Sequence, residues 1–262
     1  MPLLDVRDIS IAFGGLKAVQ RFNLEIDRGN LQGLIGPNGA GKTTVFNLLT
    51  GVYRPQTGEI ALGGQRLNGL RPSRIAAAGL ARTFQNIRLF PDLTVLDNVR
   101  IACHLRVRHS MWASVLRTSL HVGEERAMTR RAYELLDTLG LARRAHALAR
   151  NLPYGDQRRV EIARALATSP KVLLLDEPAA GMNSTEKVEL RRMIREIRDR
   201  FELSILLIEH DMGVVMDICE KITVLDYGQT IAAGPPNAIQ KDPKVIEAYL
   251  GAPAEMKPDE KV

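Results

Sequence analysis

The sequence predicts an α/β fold whose core is interrupted by a helical subdomain. Three observations predict it. A glycine-rich loop, Gly36 to Thr44, lies between an apolar run and a helix-forming segment. A second apolar run, Val172 to Leu175, ends in the carboxylates Asp176 and Glu177. Strand–helix alternation stops near Thr94 and resumes after Thr168.

The elements follow in order. Leu4–Ala12, Phe22–Ile26 and Leu31–Ile35 are short β-forming runs, the last opening into the glycine-rich loop. A helix from about Gly41 to Leu49 is closed by Gly51 and Pro55. From about Thr94 to Thr168 the chain reads as helix throughout, with Thr94 and Asp97 resembling a capping box and Gly140 and Pro170 as stops. Lys171–Leu175 is a buried strand, and Asn183 with Glu186 starts the next helix. Its stripe of Leu190, Met193, Ile194, Ile197 and Phe201 has helical spacing and reads as core, while Arg191, Arg192, Arg195 and Arg198 face away. Leu203–Ile208 is another buried strand. Pro253–Val262 is charged and proline-containing, the composition of a disordered tail. No internal repeat is visible.

Composition narrows the class. Apolar residues make up 45% and charged residues 25%, the balance of a folded soluble protein. No run is long enough to cross a bilayer, and the N-terminus lacks the basic start and apolar stretch of a signal peptide. Cys103 and Cys219 have no metal-ligand spacing, so neither zinc nor a disulfide is expected, and the expected compartment is the cytosol. The net charge of +6 is uneven: from His104 to Arg150 nine arginines face four acids, a net charge of about +5. A nucleic-acid surface, a face near anionic lipid headgroups and a solvated helical face are all compatible with that segment.

The chemistry resides in five places. In Gly36-Pro37-Asn38-Gly39-Ala40-Gly41-Lys42-Thr43-Thr44, glycines let backbone N–H groups turn inward around phosphate oxygens, and the following helix adds its dipole. Lys42 would reach the β- and γ-phosphates and the Thr43 hydroxyl would ligate Mg²⁺. An apolar strand that delivers Asp176 and Glu177 at its end is costly unless both are used. Asp176 would hold the Mg²⁺ shell and Glu177 would polarise an attacking water. The other three are Leu152-Pro153-Tyr154-Gly155-Asp156-Gln157-Arg158-Arg159 at a helix start, Gln85 between the loop and that helix, and His210 after the Leu203–Ile208 strand.

Their order resembles the ABC ATPase family over about residues 3–251, and in closer detail the ATP-binding subunits of branched-chain amino-acid importers. The carrying stretches are Phe13-Gly14-Gly15-Leu16-Lys17-Ala18-Val19, Arg82-Thr83-Phe84-Gln85, Leu173 to Gly181 and Val245 to Gly251, with the long segment containing Trp112. The resemblance implies a P-loop NTPase (RecA-like) core, an antiparallel β subdomain and an inserted α-helical subdomain at about 86–168. The domain would span 3–251, followed by the tail 252–262. It implies ATP and Mg²⁺ as cofactors. Phe13 would stack on adenine and Val19 join it as a nucleotide contact, with Asn38, Gly39, Ala40, Gly41, Lys42, Thr43 and Thr44 around the phosphates. Gln85 would touch the metal site, alongside Thr43 and Asp176, and relay nucleotide state to the permease. Ala180 to Asn183 would cross a dimer interface, and His210 would contact the γ-phosphate.

The implied partners are a second ABC ATPase (identical or merely similar), two transmembrane permease subunits and, indirectly, a substrate-binding protein, with nucleic acid not expected. The implied location is the cytoplasmic face of a bacterial inner membrane. The same motor could instead serve urea or amide uptake or lipid export. A soluble ABC ATPase of translation or DNA repair is a further alternative. One departure matters. The family's signature opens Leu-Ser-Gly-Gly-Gln, whereas this chain has Pro153 for the serine, Tyr154 for the first glycine and Asp156 for the glutamine, keeping Gly155. One hydrogen bond to the opposite phosphate is thereby missing, typically worth ~1.5–3 kcal/mol, and Asp156 is expected to repel phosphate.

Overall fold

The computed structural model describes residues 1–106 and 119–250; Trp112 and the tail Pro253–Val262 lie outside them. The larger sheet is built on runs that are apolar on both faces. β3 (Leu31–Ile35), β7 (Val172–Asp176) and β8 (Ser204–Ile208) are buried at every position, as expected of parallel strands covered on both sides. With β6 (Leu80–Arg82), β9 (Lys221–Asp226) and β10 (Gln229–Gly234) they form a six-stranded sheet of order β10-β9-β3-β8-β7-β6. All neighbouring pairs are parallel except the edge pair β9–β10.

The two-residue side-chain period divides this sheet between two cores. Leu173, Leu175, Ile205 and Leu207 face one cluster, which includes Val95, Leu135 and Val160 of the helical subdomain. Val172, Leu174, Leu206 and Ile208 face the other, with Val45 and Phe46 of α1 (Lys42–Leu49) and Leu4 and Phe22 of a second sheet. That second sheet is antiparallel and has four strands, β1 (Leu4–Phe13), β2 (Leu16–Ile26), β4 (Thr57–Leu62) and β5 (Gln65–Arg66), in the order β2-β1-β4-β5. A short helix, α2 (Pro72–Ala78), leads from it back to β6.

The stretch from Thr94 to Thr168 is not one continuous helical reading. α3 (Val95–Cys103), α4 (Ser119–Thr138) and α5 (Tyr154–Ala167) are joined, between α4 and α5, by two short 3₁₀ turns. Gly140 leaves α4 at φ +70°, and the chain doubles back so that the Val95 amide donates to the Ala147 carbonyl at 2.9 Å. Pro153 then holds Leu152 extended, as the residue before a proline prefers. Thr94 caps α3 by accepting from the Asp97 amide, but its hydroxyl donates to the Asp97 carboxylate, so only half of the capping box forms. The next helix, α6 (Ser184–Phe201), has both halves of its box, Asn183 and Glu186. On it Leu190, Ile194 and Ile197 are buried, with Met193 and Phe201 partly buried beside them.

Arg191 and Arg195 pair with Asp217 of α7 (Met212–Ile218), and Arg198 pairs with Glu220. In the basic segment Arg131, Arg144 and Arg150 pair with Glu134, Asp156 and Asp92, so local acids offset part of its charge. The described chain closes with α8 (Pro236–Ile239) and α9 (Pro243–Leu250). Among the described residues no helix is long and apolar enough to cross a membrane.

Candidate active site

The loop from Gly36 to Gly41 is forced by its neighbours. Gly36 and Gly41 have φ of +148° and +105°. A Cβ at Gly36 would sit 2.0 Å from the Leu225 carbonyl oxygen, and one at Gly41 2.6 Å from that of Ala18, so only glycine fits either place. Asn38 and Gly39 are exposed at the tip while Ala40 is buried. α1 starts at Lys42, and its first-turn amides at Lys42, Thr43 and Thr44 have no carbonyl within the helix to bond. Lys42 is buried, and its ammonium donates to the carbonyls of Gly36 at 2.6 Å and Pro37 at 2.9 Å. Burial lowers its pKa, and the nearby charges of Glu177 and Asp176 oppose that shift. The unbonded first-turn amides of a helix N-terminus and an ammonium together make a cradle for phosphate.

The two carboxylates lie at the C-terminal end of β7. Asp176 is nearly buried and paired with the Arg82 guanidinium at 2.6 Å. Arg82 also donates to Asn47 at 2.7 Å and lies between the rings of Phe46 and Phe84. Arg82 has no role legible in the sequence; it is placed here by β6, which pairs with β7 in the register Arg82↔Leu174. Glu177 has φ +47°, a left-handed conformation that costs a non-glycine residue about 1–3 kcal/mol. Its amide donates to Ile208 at 2.9 Å, holding the turn in place.

The Glu177 carboxylate accepts from the Gln85 side-chain amide at 2.7 Å, and His210 Nδ1 lies 3.7 Å away. The loop that carries His210 is held by Glu209, fully buried, which accepts from the Ala179 amide at 2.6 Å and the His210 amide at 3.2 Å. Burial pushes the Glu209 carboxyl pKa up. Asp211 caps α7 through the Val214 amide and bonds Lys187 at 2.6 Å, which holds its carboxyl below the usual carboxylate range. Neither Glu209 nor Asp211 was marked by the sequence analysis beyond their neighbour His210.

Lys42, Asp176, Glu177, Gln85 and His210 therefore converge. Val19, buried in β2, lies against the same loop, its Cγ2 3.7 Å from where a Cβ at Gly41 would be. Phe13 stands on the second sheet, exposed and edge-on to Tyr53 with centroids 5.1 Å apart. Tyr53 is a neighbouring aromatic that sequence spacing did not flag. Pro153, Tyr154, Gly155 and Asp156 belong to a different place, the N-terminus of α5, where no side chain caps the helix. Pro153, Gly155 and Asp156 line a cavity of about 210 Å³ with Met182 and Glu186, apart from the glycine-rich loop. The Asp156 carboxylate is bonded to Arg144. That ion pair places a positive charge beside the Asp156 carboxylate.

A family model described as "ABC transporter" matches residues 19–180, and one described as "Branched-chain amino acid ATP-binding cassette transporter" matches residues 229–255. The chain is 47% identical over 250 residues to the high-affinity branched-chain amino acid transport ATP-binding protein LivG of Escherichia coli K12, covering 95% of this chain and 98% of LivG. It is 43% identical, with the same coverage, to the corresponding protein BraF of Pseudomonas aeruginosa. Among solved structures it resembles the ADP conformation of MJ1267, an ATP-binding cassette of an ABC transporter, with a TM-score of 0.83 and 29% identity over 96% of this chain and 99% of that one.

Proposed function

The chain belongs to the family of ABC transporter ATPases, and from that premise we propose that it is the motor of a branched-chain amino-acid importer, working as one half of an ATPase dimer. The family hydrolyses ATP and binds nucleotide, and the two sheets with their helical subdomain are its fold. The observation that carries the reading is the convergence of Glu177, Gln85 and His210 opposite the buried Lys42. The branched-chain cargo is supported by the family model over residues 229–255 and by the relatives' names.

The donors at hand suit the implied group. Thr43, Asp176 and Gln85 offer hydroxyl, carboxylate and amide oxygens, the hard ligands that Mg²⁺ takes alongside nucleotide phosphates. Bound Mg²⁺ and ATP supply charge neutralisation and the phosphoryl group to be transferred. Lys42 exchanges the Gly36 and Pro37 carbonyls for phosphate oxygens. Asp176, paired with Arg82 here, would hold Mg²⁺ together with Thr43 and Gln85. Glu177, released from Gln85, takes a proton from the attacking water, and His210 orients that water and the γ-phosphate by hydrogen bonding. Gln85 thereby senses the nucleotide. Phe13, with Val19 behind it, offers a face to adenine that reads no base edge. A groove of about 350 Å³, lined in part by Val52, Ile75, Phe84, Arg88 and Arg164, lies beside the Gln85 loop and suits a permease loop. Two permeases, a second ATPase and a substrate-binding protein complete the machine at the cytoplasmic membrane face of a bacterium.

The test is purification of tagged Glu177→Gln protein from its native membranes with ATP present. Recovery of multi-spanning permeases and a second ATPase is expected. Recovery only from the soluble fraction, with ribosomes or DNA, would overturn the transporter reading and leave the ATPase chemistry.

A further inference from the structure

One arginine ties the loop of Gln85 to the signature helix. Arg158, on the second turn of α5, is fully buried. One of its terminal nitrogens donates to the Phe84 carbonyl at 2.5 Å and the Glu161 carboxylate at 2.7 Å. The other donates to the Gln85 carbonyl at 2.6 Å and the Tyr154 hydroxyl at 3.2 Å. Glu161 completes the grip by accepting from the Phe84 amide at 3.1 Å. Burying a charge this deeply is costly unless it is paired and bonded, and a planar five-donor guanidinium suits several fixed acceptors where lysine would not. The grip is on backbone, so it fixes the position of the Gln85 loop whatever its side chains do.

The same contacts account for Tyr154. Its hydroxyl accepts from Arg158, and its ring meets Gly181, where an added Cβ would lie 3.6 Å from it. A continuous path of contacts thus runs from Glu177 through the Gln85 side chain and backbone to Arg158 and then Tyr154.

We propose that Arg158 is a positioning residue that transmits the state of this chain's own nucleotide site, through Gln85, to the α5 N-terminus that faces the partner's nucleotide. This rests on the proposed dimer. Arg158 touches no reacting atom; it makes the Gln85 loop and the signature end of α5 move as one body. A connected chain of contacts becomes coupling only when substitutions along it fail to add, so the test is a double-mutant cycle.

ATP turnover is measured on the full chain together with the partners that copurify with it. The first variant is Arg158→Gln/Glu161→Gln, which removes the buried pair as a neutral unit. It is expected to lower kcat about ten-fold with KM for ATP within about two-fold, and to cost less than about two-fold further in a Gln85→Ala background. The second, Tyr154→Phe, deletes one hydroxyl on a half-exposed ring and so leaves folding intact. It should lower kcat about two- to three-fold, again with no further loss beside Gln85→Ala. If the first variant does not fold, the Tyr154 cycle decides alone. Losses that multiply with Gln85→Ala, or a loss confined to KM and melting temperature, would overturn the role of Arg158. Wild-type complex without ATP turnover would instead overturn the proposed function on which the inference rests.

Discussion

The proposed function gives this molecule two ends that would face nucleotide, and they are built to different standards. At the glycine-rich loop the groups read as phosphate and water ligands are held in place. Lys42 is buried with two backbone partners, Glu177 is braced in a strained turn, and Gln85 and His210 stand beside it. At the start of α5 the serine hydroxyl is missing, the helix has no side-chain cap, and the side chains turn inward, Tyr154 to Arg158 and Asp156 to Arg144. On the proposed function, this chain keeps the catalytic groups at the loop end, while the side chains at the α5 end bond to its own residues. On this account the site formed by this chain's loop and a partner's signature is the stronger of the two in the dimer.

Five substitutions test this account. The largest effect is at the complete end. Lys42→Ala should abolish nucleotide binding and transport together, and Glu177→Gln should keep ATP binding while lowering kcat about 10²- to 10⁴-fold, read by nucleotide binding and phosphate release. Normal turnover by the second variant would remove Glu177 from its role. Next, Pro153→Ser supplies the absent hydroxyl. Turnover at the site that α5 serves should rise about ten-fold or more, the equivalent of one charge-assisted hydrogen bond. An unchanged rate would mean the weakness lies elsewhere.

A smaller effect is expected where Asp156 loses its counter-ion. Arg144→Ala leaves that carboxylate unopposed near the surface and should weaken ATP binding at the facing site about three-fold, more at low salt than at high. Smallest is the cap of α7. Asp211→Ala removes the Val214 bond and the Lys187 pair, and should cost about 1 kcal/mol in denaturant unfolding. Because the folded Asp211 carboxyl sits below its unfolded value, its contribution is complete above about pH 3.9 and is lost as pH falls through the folded value. The wild-type advantage over Asp211→Ala should therefore shrink in acid.

Much of this was legible in the sequence because it is local. The buried strands β3, β7 and β8 are continuous apolar runs, and the Asn183–Glu186 box starts α6 where the spacing says. What was missed depends on contacts distant in sequence. β2 begins at Leu16 rather than Phe22, since its first half pairs with β1 across bulges and buries only Val19, with no clean alternation to read. β5, β6 and β10 are short or stand at the edges of the sheets, β4 and β9 are interior strands with a partner on each side, and none of the five was marked. The turn from Gly140 to Pro153 folds back on Thr94, a pairing that helical periodicity does not encode. At the site, the motif residues were visible by order alone. Arg82, Glu209 and Arg158 were not, because arginine on an edge strand or helix and a glutamate beside a histidine read as surface. Arg158 meets the Gln85 carbonyl across 73 residues of chain.

The contrast between the two ends is tested most directly by placing Glu177→Gln in this chain, and the matching change in its partner ATPase, in otherwise identical reconstituted pairs and measuring ATP turnover. The account predicts unequal losses, the larger from the substitution in this chain, whose site is completed by the partner's signature. Equal losses would contradict it.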